Sequence, residues 1–215
     1  MGKRRAMNHL DELVTRYPSL AVCRDEIQAA YRVLVECFSQ GGKLLVCGNG
    51  GSAADAEHIT GELMKGFLSL RPLPEEFRDR LRAANPELGS TLAEKLQGSF
   101  PVINLAAGAA LSTAFGNDVS PELAFAQAAN GYGKPGDVLL GLSTSGEALN
   151  VRAAFSVARA VGMKTIGMTG KEGGRLASLC DILINVPARR TFEVQELHLP
   201  VYHCLCMMVE GHFFP

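Results

Sequence analysis

The chain of 215 residues carries a formal net charge of −1, 47% hydrophobic residues and no tryptophan, which suits one α/β-sized domain, 1–215, with a core of its own. It has no basic tail or patch of the kind that tracks nucleic acid, no apolar run near the roughly 18 residues that span a membrane, and no apolar stretch after Lys3, Arg4 and Arg5 that would make a secretory signal. The six cysteines (Cys23, Cys37, Cys47, Cys180, Cys204, Cys206) are scattered over apolar positions, and this predicts reduced core thiols of a cytoplasmic protein.

Apolar residues recur at helical spacing from Met7 to Tyr17 and from Leu20 to Ser39, with Gly41 and Gly42 as a C-cap. Residues 1–40 therefore read as two amphipathic helices. Their stripes (Leu10, Leu13, Val14; Ile27, Tyr31, Leu34, Val35, Phe38) fit either burial within the chain or packing on another subunit. Next comes LLVCGNGGSAADAEHITGEL, Leu44 to Leu63. Leu44 to Cys47 reads as a buried strand, Gly48, Gly50 and Gly51 as a tight turn, and Ser52 as the start of a helix. Such a turn presents free amides and the positive end of a helix dipole to an anion. The spacing matches neither the Rossmann fingerprint nor a Walker A loop. On the following helix, His58 and Glu62 are four apart and share a face, where they could hold a metal or a substrate.

The stretch 66–99 has the character of an insertion. Pro72 and Pro74 break it, and EEFRDRLRAA and STLAEKLQG read as two short charged helices. It is expected to be a lid over the crevice or a solvated decoration. Arg71 is the exception, since a guanidinium at the edge of an anion site would bind phosphate in a fork. The rest alternates: strands Val102–Leu105, Val138–Leu142, Thr165–Met168 and Ile182–Val186, with helices near Ala109–Phe115, Glu122–Asn130, Ala148–Val161, Gly173–Ser178 and Phe192–Glu210. This pattern predicts an α/β three-layer sandwich: an open parallel sheet of about five strands flanked by helices, flavodoxin-like, with its ligand beyond the carboxyl ends of the strands. Two more loops there carry polar groups. Ser143, Thr144 and Ser145 with Gly146 form a second half-cradle for phosphate, and Gly116-Asn117-Asp118 reads as a loop whose amide and carboxylate can hold sugar hydroxyls.

The motifs CGNGGSAADAEH, GND, GDVLLGLSTSG, MTGKEGG and VQELHLPVYH, in that order, resemble the sugar isomerase (SIS) domain and within it the phosphoheptose isomerase family. The resemblance covers Gly41 to the end apart from 66–99. It implies conversion of sedoheptulose 7-phosphate to D-glycero-D-manno-heptose 7-phosphate. It places Asn49, Gly50, Gly51 and Ser52 against substrate, Asn117 and Asp118 on its hydroxyls, and Ser143, Thr144 and Ser145 on its phosphate. His58, Glu62, Gln195 and His203 fall on positions that bind zinc or act on the sugar. The family's tetrameric state with interfacial sites implies a homotetramer here. Two departures bear on which sugar fits: Ala148 replaces a serine, and Phe192, beside Glu193, stands where an acidic residue is expected.

Aldose–ketose isomerisation needs a base beside the carbonyl and stabilisation of an enediolate. Glu62 suits the base and His203 the acid partner, with a divalent ion as Lewis acid. Gln195 and His203 are eight apart, about 12 Å along a straight helix. Either Gln195 precedes the regular helix or two subunits complete each site. His198 and His212 have no assigned role and default to surface or capping positions. The alternatives are a non-catalytic SIS-fold adaptor like the factor that associates with the DnaA replication initiator, whose C-terminus CLCMMVEGHFFP resembles, and an isomerase for a different sugar phosphate.

Overall fold

The structure, a computed structural model, describes residues 2–214. Strands β1 (Leu44–Gly48), β2 (Val102–Asn104), β3 (Val138–Leu142), β4 (Lys164–Thr169) and β5 (Ile182–Asn185) form one sheet in the order β2-β1-β3-β4-β5, every neighbouring pair parallel. A parallel sheet covered on both faces needs apolar residues at odd and even positions alike, and β1 and β3 are buried throughout. Leu44, Val46, Leu140, Leu142, Ile166 and Met168 face one layer of helices. Leu45, Cys47 and Leu139 face the other.

The first layer holds α1 (Gly2–Arg16), α2 (Arg24–Ser39), α3 (Gly51–Met64) and α9 (Thr191–Phe213). The second holds α7 (Ala124–Tyr132) and α8 (Leu149–Val161). The three-layer sandwich expected from the sequence is what forms. Leu10, Leu13, Ile27, Tyr31 and Leu34 are buried within the chain, so the N-terminal stripes have a use in one copy. Between α1 and α2, Leu20 lies in a 3-10 turn, Pro18–Cys23, because Pro18 cannot continue a helix from Tyr17. The segment expected to be a helix near Gly173 is likewise a 3-10 turn, Gly174–Leu179.

The direction in which strands are added to the sheet reverses at its centre. From β1 the chain goes to β2 on one side, and from β3 it continues to β4 and β5 on the other. The connections leaving β1 and β3 therefore part to opposite faces and open a crevice beyond the two neighbouring strand ends. The glycine loop follows β1 and the Ser143–Gly146 loop follows β3, so both line that crevice.

The stretch 66–99 contains α4 (Glu75–Ala84) and α5 (Gly89–Lys95). None of α4 is buried, and its arginines are spent on its own carboxylates, Arg82 on Glu75 and Asp79, and Arg80 on Glu76. The pair is joined to the body by a narrow neck in which Pro72 bridges Gln97 and the Gly98 amide donates to the Arg71 carbonyl at 2.7 Å.

His198 overturns its default surface placement. It is 0% exposed on α9, and neither ring nitrogen has a hydrogen-bond partner. Burial pulls its pKa down from 6.5 to about 4. The sign follows directly: below pH 6.5 the unfolded chain binds a proton that the folded chain refuses until about pH 4. Stability therefore falls by about 3 kcal/mol as pH drops through that window. Denaturant melts at several pH values should show this loss in the natural protein and a flatter acid limb in His198→Leu. His212 lies at the end of α9, where Nδ1 meets the Tyr31 hydroxyl at 3.1 Å.

Candidate active site

The glycine loop is built as its sequence demands. Gly50, the N-cap of α3, has φ +55, a conformation that a side chain disfavours. Gly51 lies under the Gln195 side chain so closely that a Cβ would sit 2.6 Å from Nε2. Ser52 is buried, and its amide donates to the Asn49 carbonyl. Asn49 does not stand alone. Its side-chain amide exchanges two hydrogen bonds with that of Asn150, of 2.9 and 2.8 Å, tying the glycine loop to the start of α8. Asn150 was absent from the sequence-derived site, although its place one residue into a helix that follows a hydroxyl-rich loop was a usable signal.

In the neighbouring loop Ser143 is buried and Ser145 exposed, and the Ser145 hydroxyl accepts the Glu147 amide at 3.2 Å. Gly146, at φ +69, packs on the Gly173 carbonyl, and Glu147 receives the Arg175 amide. Ala148 is the N-cap of α8. The crevice is thus lined by backbone amides and hydroxyls from two adjacent strand ends, groups of the kind that hold anions.

A second cluster lies further along the first helix layer. His58 and Glu62 on α3 meet His203 on α9, with His58 Nε2 3.2 Å from Glu62 Oε1 and 3.5 Å from His203 Nε2. Glu62 is 13% exposed and also accepts Lys65 Nζ at 3.0 Å. Burial and the neighbouring His58 pull the His203 pKa below the ordinary histidine range, partly offset by Glu62. The pairing of Gln195 with Gly51 and of His203 with His58 shows that α3 and α9 run alongside in the same direction. Gln195 is well inside the regular α9, which removes the possibility that it precedes the helix. It therefore marks the end of the pair near the glycine loop, about 12 Å along the axis from His203.

Among the described residues no group of three or more His, Cys, Asp or Glu side chains is gathered closely enough to hold an ion unaided. The donors are right in kind for zinc, two imidazoles and a carboxylate. His58 Nε2 has both the His203 nitrogen and the Glu62 carboxylate oxygen within 3.5 Å, an arrangement that calls for a proton or cation between them.

Arg71 lies elsewhere than expected, and Asn117 and Asp118 belong to a different element. Arg71 does not reach the anion crevice. It is 0% exposed and donates from Nε to Glu210 at 2.7 Å, from Nη1 to the Leu63 carbonyl at 2.7 Å and from Nη2 to the Glu62 carbonyl at 2.9 Å. Its two Nη donors cap the C-terminal end of α3, opposite the glycine loop, and Nε ties that end to Glu210 on α9. Asn117 and Asp118 are not in a loop: they close α6 (Ala109–Asp118), a helix with no buried residue, and bond to each other at 2.9 Å. Phe192 is exposed beneath the Arg190 guanidinium, and Arg190 pairs with Glu193.

Family profiles described as SIS domain match residues 15–100 and 113–208. The phosphoheptose isomerase of a Nitratiruptor species is 38% identical over 190 residues, 88% of each chain. The chain belongs to the phosphoheptose isomerase family. Another relative of that name, from Burkholderia pseudomallei, is 37% identical over 87% of this chain and 82% of its own. Among solved structures of phosphoheptose isomerases, that from Neisseria gonorrhoeae superposes with a TM-score of 0.73 at 28% identity, covering 98% of this chain and 99% of the other. That from Francisella tularensis gives 0.71 at 29% identity, covering 93% and 97%.

Proposed function

We propose that the protein is a sedoheptulose 7-phosphate isomerase, an aldose–ketose isomerase forming D-glycero-D-manno-heptose 7-phosphate through an enediolate. The observation that carries the reading is the meeting of Glu62 with His58 and His203, ionisable groups suited to moving protons, in a chain that belongs to the phosphoheptose isomerase family. Glu62 takes the proton from C1 of the ketose and returns it to C2. His203, the acid partner, first accepts the C1 hydroxyl proton and then gives it to the C2 oxygen. The phosphate rests on Ser143, Thr144 and Ser145 and on the amides of Gly50 and Gly51.

A zinc ion belongs to this proposal, held by His58, Glu62 and His203 with Gln195 from a second copy, and when bound it would polarise the substrate oxygens as a Lewis acid. The same spacing supports a homotetramer with shared sites. Gly51 and Glu62 are separated by about 16 Å of α3, so one substrate bridges an anion loop and an acid–base cluster more readily across two copies than within one. No described helix is long and apolar enough to cross a membrane, and the reading places the reaction in the cytoplasm.

The test is incubation with sedoheptulose 7-phosphate in deuterated water, followed by NMR with and without a chelator. Deuterium beside the carbonyl together with an aldoheptose phosphate is the expected result. Absence of exchange with this and other sugar phosphates would favour the adaptor reading.

A further inference from the structure

Helix α3 ends at Met64, so Glu62 sits in its last turn, where the carbonyls lack the amides of a following turn. By helical spacing the amides of Gly66 and Phe67 would serve the Glu62 and Leu63 carbonyls. Both are engaged elsewhere. Gly66 donates to Gln97 Oε1 and Phe67 to Glu210 Oε1, each at 2.8 Å. The Arg71 guanidinium takes their place, with Nη2 on the Glu62 carbonyl and Nη1 on the Leu63 carbonyl, which also receives the Phe100 amide. The turn that carries Glu62 is therefore closed by a side chain. Arg71 Nε reaches Glu210, and the same carboxylate accepts the Leu68 and Ser69 amides at 2.7 and 3.1 Å. Glu210 thus places Phe67, whose ring packs on the His203 ring with centroids 5.4 Å apart.

Both halves of the acid–base cluster converge on one buried ion pair, Glu62 through its main chain and His203 through Phe67. Arg71 is 0% exposed and Glu210 2%, so neither can meet a substrate. On the proposed roles of Glu62 and His203, we infer that Arg71 and Glu210 are positioning residues, a clasp that sets the base and its acid partner relative to each other. A displacement of about 1 Å in such a pair costs on the order of 10²-fold in rate. A guanidinium suits the task because its donors are fixed in a planar fork, which here holds two carbonyls and a carboxylate together. A lysine ammonium is a point charge on a flexible stem and keeps the charge without the fork.

The experiment compares full-length natural protein with Arg71→Lys, Glu210→Gln and Phe67→Leu, and with Phe155→Leu as a control for ordinary core loss in the other helix layer. Kinetics with sedoheptulose 7-phosphate are measured well below each melting temperature, and crystal structures of the variants are determined. Arg71→Lys and Glu210→Gln should lower kcat about 10–100-fold and leave KM within about two-fold, with the Glu62 and His203 side chains displaced relative to each other. Phe67→Leu, which keeps the ion pair, should give a smaller fall in kcat. Phe155→Leu should melt lower yet keep both kinetic constants. Unchanged kcat in either clasp variant, or an equal fall in Phe155→Leu, would overturn the inference. Should neither clasp variant fold, unchanged kcat in Phe67→Leu overturns it. A natural protein that isomerises nothing would count against the proposed function instead, and the structures then decide: Glu62 and His203 unmoved in the variants would still refute the clasp.

Discussion

Glu62→Gln should lower the isomerisation rate by about 10²–10⁴-fold, or roughly 3–5 kcal/mol of barrier, with the fold unchanged. Glutamine keeps the shape and the hydrogen bond from Lys65 but cannot take a proton from carbon. Deuterium incorporation should fall in step with product formation, because both pass through the same proton removal. If exchange persists at the natural rate, Glu62 is not the base, and His203 becomes the group to replace next. The variant also tests whether sites are shared. Glu62→Gln and Ser145→Ala, each impaired alone, should regain activity when mixed and allowed to exchange subunits, since some interfaces then receive an intact loop from one copy and an intact Glu62 from the other. Mixing without recovery would place both groups in one chain's site.

Arg71→Ala should destabilise the fold by about 3–5 kcal/mol, a fall in melting temperature of roughly 6–20 °C. The guanidinium and Glu210 are both almost fully buried, and removing one partner leaves a charge in the interior. Burial works against the Glu210 charge, but the Phe67 and Leu68 amides and Arg71 hold its carboxyl below the ordinary range. Arg71 also lies between the Phe100 and Phe214 rings, with its guanidinium carbon 5.1 and 5.5 Å from their centroids, and adopts φ +45, a conformation costly for a residue with a side chain. Such strain is held only where the surroundings fix it. Had Arg71 bound phosphate, alanine would raise KM and leave melting almost unchanged, so the two measurements together separate the roles.

These two residues show where a sequence is legible. Glu62 is four positions from His58 on one helix, and local periodicity carries that relation. Arg71 also belongs to a readable pattern, but its partner Glu210 is 139 positions away, and nothing local says whether a guanidinium turns toward solvent or inward. The sheet and its order of elements were legible because buried strands leave apolar runs between helices of regular period. Asn117 and Asp118 were misread because glycine followed by Asn-Asp is turn chemistry by composition, yet Gly116 is accommodated near the end of α6. His198 looked like a surface residue because a lone polar side chain on a helix usually is one. Its burial follows from the packing of α9 on the β4 side, a tertiary fact. The long α9 was legible despite Pro200, whose missing amide costs one intrahelical bond without ending the helix.

The neck at Pro72 and Gln97 has a consequence for how this chain can vary. The polypeptide leaves and rejoins the body at one point, so everything between is an appendix whose length the rest of the molecule does not register. Closing a longer or shorter segment over that neck changes the entropy only logarithmically with length. The charged helix pair can therefore drift, shrink or be exchanged for another segment while the sheet and the first helix layer keep their register, which makes this the place where relatives can acquire individuality at little thermodynamic risk.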